Sequence, residues 1–553
     1  MKRRNLIKGL TLLPLGSLLP AGGVGAAPAT ENPMNLSQWL EASQTAAATG
    51  GLDNSPNIFR SIGVEPIINC RGTFTIIGGS IERPEVRTAM EAASKDFIQY
   101  DELADGIGKR LAEITGAEWG MVSAGCAAGM KHVTAACVTG GNPEKLIRIP
   151  DLTGFEKTEV VIPRSSRNVY DHAIRNIGVK IIEVATPEEL RNALSARTAM
   201  IYLMALDDDT PDQPFALEAV ARMAKPKNNP ILVDAAAEVL TIPNVHLQRG
   251  ADIVAYSGGK ALCGPQCAGL LLGRKDILMS AWQASSPHHG PGRDNKVGRE
   301  EMMGMLAAVE AWTKRNHKAE WKTWLSWLDS ISKRVTKVDG VTTSVSEPTA
   351  LSNKSPVLTI SWDPGQLHIT GEEVAEEVGR NKPRIAIGWG SKPGATSINI
   401  TTGQMQPGNE KVVAERLYGI LSQKRSPRSA TMALPAENLS GRWAVDIEFF
   451  SSKSQHTLFL EQEGNWIQGS HKGDFSVREI RGSMEGSTVK LQSVDRRPGD
   501  QISFIFSGTL SGGTLAGTIH MGEYRTAQFT ASRKDYPKKN DPIKVPGGPP
   551  LAT

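Results

Sequence analysis

Three short stretches combine chemically capable residue types with spacings that could bring them to one place. The first is Asp252-Ile-Val-Ala-Tyr-Ser257-Gly258-Gly259-Lys260, an apolar run that ends in a hydroxyl, two glycines and a lysine. A lysine just beyond a buried strand is partly desolvated, which lowers its pKa and makes its amine a usable nucleophile. In a flexible surface loop it would be an ordinary cation. The second stretch, Pro230-Ile-Leu-Val-Asp234-Ala-Ala-Ala-Glu238, puts an acid at the carboxyl end of another apolar run. Ligands of open α/β sheets bind at that edge. The acid could hold a protonated ring nitrogen, or simply cap the next helix. The third, Ser123-Ala-Gly125-Cys126-Ala127-Ala-Gly129, sits between a short apolar run and a helical pattern. Small residues there allow close approach of a bound group, and the free N–H groups of a helix start favour an anion such as phosphate. Close helix packing would select the same small residues.

Each stretch alone has a plain structural explanation. Together, in chain order, they supply a phosphate cup, an acid for a pyridine nitrogen and an amine for a Schiff base. Pyridoxal 5′-phosphate needs that set, so it is the expected cofactor.

These residues must be positioned by a sheet. From Val64 onward short apolar runs alternate with helical patterns. Trp119 to Ser123, Val160 to Ile162, Lys180 to Val184, Ala199 to Met204 and Ile231 to Val233 predict buried strands, separated by helices such as Pro187 to Ala196 and Leu217 to Lys225. That rhythm predicts a mainly parallel sheet covered on both faces. A single long helix is expected from about Lys296 to Leu328. A small α+β unit follows, with helices over Thr370 to Val378 and Asn409 to Leu421. From Leu439 to Arg533 the period changes to two, with Gly-rich turns, which predicts an antiparallel barrel or sandwich. There Trp443, Phe449, Phe459, Trp466 and Phe475 are expected in the core.

The expected units are an export signal (1–29), a linker (30–57), the cofactor domain (58–330), a small α+β domain (331–423), a linker (424–437), an all-β domain (438–534) and a disordered tail (535–553). The signal rests on Arg3-Arg4 before a short apolar stretch broken by Gly and Pro. It resembles a twin-arginine leader, is too short to span a bilayer, and directs the protein to the periplasm. At 40% hydrophobic and 22% charged residues, with a net charge of +4 over 553 residues, the chain is an ordinary globular protein without a nucleic-acid footprint. Its five cysteines lack metal-site spacing and are expected to be small core residues, so no metal is predicted.

The sequence also resembles the fold-type I pyridoxal-phosphate enzymes related to bacterial selenocysteine synthase and D-glucosaminate-6-phosphate ammonia-lyase. The resemblance spans about Ile58 to Leu421. It is carried by Ile68-Asn-Cys-Arg-Gly72-Thr73, Ala112 to Glu118, the Ser123 to Gly129 turn, Asn168-Val-Tyr-Asp-His172-Ala-Ile-Arg175, Val233-Asp234, and Ser257-Gly-Gly-Lys260-Ala-Leu-Cys-Gly-Pro265-Gln266. It implies Lys260 as the Schiff-base lysine and Asp234 as the partner of the ring nitrogen. It also implies phosphate binding by the Gly125, Cys126 and Ala127 N–H groups and the Ser257 hydroxyl, and a homodimer or larger homo-oligomer. Selenocysteine synthase commonly has an acid before its lysine, where this chain has Gly259, and a tRNA-binding domain that has no counterpart here before Ile58. Selenium transfer is therefore not expected.

Four further groups are candidates for the substrate. His172 could protonate a leaving hydroxyl, or start a surface helix. Arg175, Arg293 and Lys296 could hold a carboxylate or phosphate, and the resemblance places Arg384 where relatives bind the α-carboxylate. The expected activity is α,β-elimination of ammonia from an amino acid or aminosugar acid. Racemisation or transamination would use the same residues, and a non-catalytic envelope protein that binds the cofactor and works through its β domain is the expectation of another class.

Overall fold

The computed structural model describes residues 57–205, 213–427, 431–535 and Gly548. The expected export signal, nearly all of the first linker and nearly all of the tail lie outside the described residues.

The central sheet has seven strands: β1 (Trp119–Ser123), β2 (Glu159–Pro163), β3 (Lys180–Val184), β4 (Thr198–Met204), β5 (Ile231–Asp234), β6 (Ile253–Ser257) and β7 (Gly269–Gly273). They lie in the order β1-β7-β6-β5-β4-β2-β3. Pairing is parallel from β3 to β6, while β7 runs antiparallel to both β6 and β1. β1 therefore points the same way as β5 and β6, and Ser123, Asp234 and Ser257 finish at one edge. Register makes this specific, since Ser123 faces Gly269 across β7, Gly269 faces Ser257, and Asp234 faces Ala255. β1, β2, β5 and β7 are buried along their whole length, as expected for strands covered on both faces.

Helix α1 (Cys126–Thr139) follows β1 and is buried almost all round. Its small residues let it lie directly on the sheet: a Cβ at Gly129 would come within 2.9 Å of Ser123 Oγ and 3.0 Å of Leu271.

The long helix expected from Lys296 to Leu328 is two helices, Arg299–Lys314 and His317–Val335. Arg315 takes an extended backbone (ψ 138°), and the Asn316 side chain accepts from Ala319 N–H to cap the second helix. A capping side chain stops the first helix in the middle of otherwise helix-forming residues. The second helix belongs to a different core, which joins Leu328, Ile331 and Val335 to the small-domain strands. Those strands form an antiparallel four-stranded sheet, Gly388–Lys392, Ala395–Thr401, Val357–Trp362 and Thr342–Ser346 in spatial order. Ile67–Asn69 comes from the far N-terminal side and pairs in parallel with Arg384–Ala386, and Cys70 is buried in this same core.

The all-β domain is a closed eight-stranded barrel: β8 (Gly441–Glu448), β9 (Lys453–Glu463), β10 (Trp466–Lys472), β11 (Val477–Glu485), β12 (Thr488–Arg497), β13 (Asp500–Ser511), β14 (Thr514–Met521) and β15 (Tyr524–Lys534). Closure pairs β8 with β15 and leaves no strand edge open. Trp443 is core as expected, but Trp466 and Phe475 are 68% and 82% exposed. In β10 the inward positions belong to Ile467 and His471 instead. His471 is tolerated inside because both ring nitrogens find partners, His456 Nδ1 at 2.8 Å and Ser493 Oγ at 2.7 Å.

That buried pair gives the barrel a pH dependence. Burial pulls the His471 imidazole down to about 3 and that of His456 below its ordinary value. Both rings are neutral in the fold, whereas in the unfolded chain they take up protons near an ordinary pKa of about 6.5. Protons then favour the unfolded chain, so stability falls as pH drops from about 6.5 towards the folded value. The thermal midpoint should decline between about pH 7 and pH 4, and His471→Gln should flatten that slope in a calorimetric series.

Candidate cofactor site

The phosphate cup is built by one turn. Gly125 precedes α1 with φ 91°, the helix has no side-chain cap, and no acid stands in its first turn. The first intrahelical bond runs from Gly129 N–H to Gly125 O, leaving the Cys126, Ala127 and Ala128 N–H groups for an anion. The cup rests on Gly269, where a Cβ would fall 2.4 Å from the Gly125 carbonyl carbon and 2.6 Å from Cys126 N. Ser257 stands across Gly269 in register, half-buried, and its hydroxyl has no protein partner among the described residues.

Asp234 ends β5 and is only 6% exposed. Its Oδ2 accepts from Tyr202 O–H at 2.8 Å, and its Oδ1 accepts from Ala236 N–H at 3.0 Å and from the Cys126 thiol at 3.7 Å. Burial pushes the carboxyl above its ordinary range, against the pull of the Tyr202 and Ala236 hydrogen bonds and the Lys260 charge. No arginine or lysine forms an ion pair with it among the described residues. A buried carboxylate in this condition fits a cationic ring nitrogen, which would restore its charge. The Tyr202 hydroxyl in turn accepts from Asn168 Nδ2 at 2.9 Å.

Lys260 is half-buried in the loop between β6 and β7, and its charge acts on both Asp234 and Cys126. The loop is tight. Gly258 N–H donates to Ala268 O, Cys263 N–H to Lys260 O, and Gly264 N–H to Gly258 O. The Gln266 side chain fills the space beside Gly259, where a Cβ would come within 2.1 Å of Gln266 Oε1 and 2.8 Å of its Cα. That explains why glycine precedes the lysine here. Arg315 Nη1 donates to Ala261 O, tying the loop to the break between the two helices. Beside it opens a cavity of about 600 Å3, lined by Gly72, Ala261, Trp312, His317, Trp321 and Lys354 among others. The phosphate cup, the ring acid and the lysine thus share one sheet edge, and each suits pyridoxal phosphate.

The substrate candidates are less concentrated. His172 is exposed at the start of His172–Arg175, and its imidazole makes no hydrogen bond or ion pair among the described residues. Arg175 is not free for an anion, because it pairs with Asp171 and with Asp500 of the barrel, both at 2.9 Å. Arg293 is exposed and donates to Ser286 Oγ, and Lys296 is exposed. Arg384 donates to the Gly379 and Glu65 carbonyls and lines a second cavity of about 380 Å3 with Asn69 and Gln404. Tyr202 and Arg315 were not singled out in the sequence, and Asn168 and Gln266 entered only within the stretches that carry the resemblance, without a role of their own. Only Tyr202 left a signal there, a lone phenol in an otherwise apolar buried strand, which must find a polar partner. Cys267, expected in a core, is exposed, and Cys137 and Cys263 are partly so.

Residues 168–295 match the aminotransferase class-V family. A D-glucosaminate-6-phosphate ammonia lyase of Salmonella typhimurium is 29% identical over 305 residues, 54% of this chain and 80% of that protein. A 5′-C-glycyluridine monooxygenase-decarboxylase of a Streptomyces species is 27% identical over 378 residues, covering 66% and 92%. An L-seryl-tRNA(Sec) selenium transferase of Proteus mirabilis is 25% identical over 297 residues, covering 47% and 58%. Among solved structures, a D-glucosaminate-6-phosphate ammonia-lyase superposes with a TM-score of 0.59 at 25% identity, over 66% of this chain and 98% of that one.

The cradle makes a specific prediction. Gly269→Ala forces the Gly125–Cys126 backbone away from β7, so pyridoxal-phosphate affinity should fall about tenfold or more. Fluorescence titration of the apoprotein measures it, with circular dichroism as the check that the fold is kept.

Proposed function

We propose that this pyridoxal-phosphate-dependent enzyme of the aminotransferase class-V fold is an exported lyase, eliminating ammonia from a β-hydroxy amino acid or an aminosugar acid. The observation that carries the reading is the shared edge of Ser123, Asp234 and Lys260, joined to the likeness to an ammonia lyase that extends over most of that relative's length. Bound pyridoxal phosphate acts as an electron sink that makes the α-proton of an amino acid acidic.

The chain's own residues supply the rest. Backbone N–H groups at the start of α1 and the Ser257 hydroxyl hold the phosphate and fix the ring's position. Asp234, kept in place by Tyr202, Ala236 and Cys126, holds a proton on the pyridine nitrogen. Lys260 Nζ would be the base that takes the α-proton. The β-hydroxyl leaves as water, and a water molecule then hydrolyses the released imine, so that the nitrogen leaves as ammonia and the organic product is a 2-oxo acid. The cavity beside Ala261 has room for a sugar-acid chain, and its Trp312, His317 and Lys354 combine apolar and polar lining. Export is supported by the Arg3-Arg4 leader pattern, and cell fractionation with Arg3→Lys/Arg4→Lys tests it.

The purified protein should be yellow, and Lys260→Ala should lose the borohydride-reducible absorbance. Wild type should release equal amounts of ammonia and 2-oxo acid from D-glucosaminate, its 6-phosphate or serine, and Asp234→Ala should lower kcat by about a hundredfold or more. A colourless wild type would overturn the cofactor assignment. Oxygen uptake with carbon dioxide release would replace elimination with oxidative decarboxylation, and colour without turnover would leave a binding protein.

A further inference from the structure

The barrel touches the cofactor domain at a place that bears on the ring acid. Hairpin β12–β13 turns at Pro498–Gly499, and Asp500 pairs with Arg175 at 2.9 Å. Gly499, at φ +79°, lies so close that a Cβ there would fall 2.8 Å from Asp171 Oδ2 and 2.9 Å from the Asn168 carbonyl oxygen. Asp171 is fully buried and held by Arg167 at 2.5 Å and Arg175 at 2.9 Å. Its N–H donates to Asn168 O, closing a turn in which Asn168 Oδ1 also accepts from Tyr170 N–H. The other end of the Asn168 amide donates to Tyr202 O–H, which donates to Asp234. A barrel residue therefore packs on the main chain of the residue whose side chain orients the partner of the ring acid.

We propose that the C-terminal barrel is a brace for the cofactor site: Gly499 and Asp500 hold the Asn168–Arg175 turn so that Asn168 and Tyr202 fix Asp234 beneath the pyridine nitrogen. This rests on the pyridoxal-phosphate assignment and adds a role for the barrel. Asp500, Asn168 and Tyr202 are positioning residues and do not touch the reacting atoms. Two features of the contact support it. Arg175 has two acids to satisfy, and without Asp500 its second pair of donors loses its partner. On the inner side of the turn Arg167 also holds Asp171 and the Ser166 carbonyl accepts from Asn168, while Val169, Tyr170 and His172 are exposed on its outer side, so the barrel tip completes a restraint that the cofactor domain begins. A carboxylate as buried as Asp234 depends on the exact placement of its donors, because in a low-dielectric site a misplaced hydrogen bond is not replaced by water.

The test uses the full-length holoprotein and reads two quantities, the dissociation constant for pyridoxal phosphate and the pH midpoint of the bound cofactor's visible absorbance. Tyr202→Phe should weaken binding about tenfold and displace the midpoint. Asp500→Asn should displace the midpoint in the same direction and weaken binding about threefold, while Asp500→Glu stays near wild type. In the double variant Asp500→Asn should add little to Tyr202→Phe, because both act through one chain of contacts. Trp466→Ala, on the exposed outer face of the barrel, should change neither quantity. The brace is refuted if Asp500→Asn matches wild type in both readouts, if its effect adds fully to Tyr202→Phe, or if Trp466→Ala produces the same shifts. A wild type that binds no cofactor would defeat the assignment beneath the proposal, and that outcome is distinct from all three.

Discussion

A negative charge at the inner end of a buried strand constrains everything around it. Asp234 has almost no access to water, and burial works against its ionised form. Three donors converge on it from three elements: the Tyr202 phenol from β4, the Cys126 thiol from α1 and the Ala236 N–H from its own turn. None of them carries a full positive charge, so the carboxylate is solvated but not neutralised. A cationic ring nitrogen would complete it, with the phosphate cup and Lys260 on the same sheet edge. The strand order serves this requirement, because β7 runs antiparallel to both β6 and β1, which keeps β1 pointing the same way as β5 and β6, so that Ser123, Ser257 and Asp234 end at one edge.

Much of this arrangement was legible in the sequence, for a physical reason. Strands buried on both faces appear as continuous apolar runs, so β1, β4, β5 and β6 stood out, and the residues that break the runs of β1, β5 and β6 at their ends were the chemical ones. What could not be read depends on contacts between distant residues. Gln266 matters because it stands against Gly79 and Gly259, and neither approach has a local pattern. Arg175 looked available to an anion because its partner Asp500 is 325 positions away. The helix break at Arg315 contains neither Gly nor Pro, and the capping Asn316 is its one local mark.

The barrel shows a different limit. Alternation reveals that a strand has two faces, but not which face is inside when a polar residue takes an inward position. In β10 the inward places go to Ile467, Gly469 and His471, while the large aromatic Trp466 faces out. Placing the large aromatic inside assigns the opposite phase. The preference reverses because the His456–His471–Ser493 chain satisfies its own polar atoms, and a satisfied imidazole costs little to bury.

The same distinction bears on what the barrel does. A module that only tethers or recruits would need no polar fit to its neighbour, and a flexible linker would serve. Here the hairpin tip meets a buried aspartate through a glycine with no room for a side chain, and an acid beside it completes an arginine that already has one partner. Such a contact tolerates little movement between the two bodies. The turn it grips is one residue removed from Tyr202 and two from Asp234 by hydrogen bonds. Rigidity delivered at that point reaches Asp234, and under the proposed brace the barrel is part of how the chain would keep its cofactor in register.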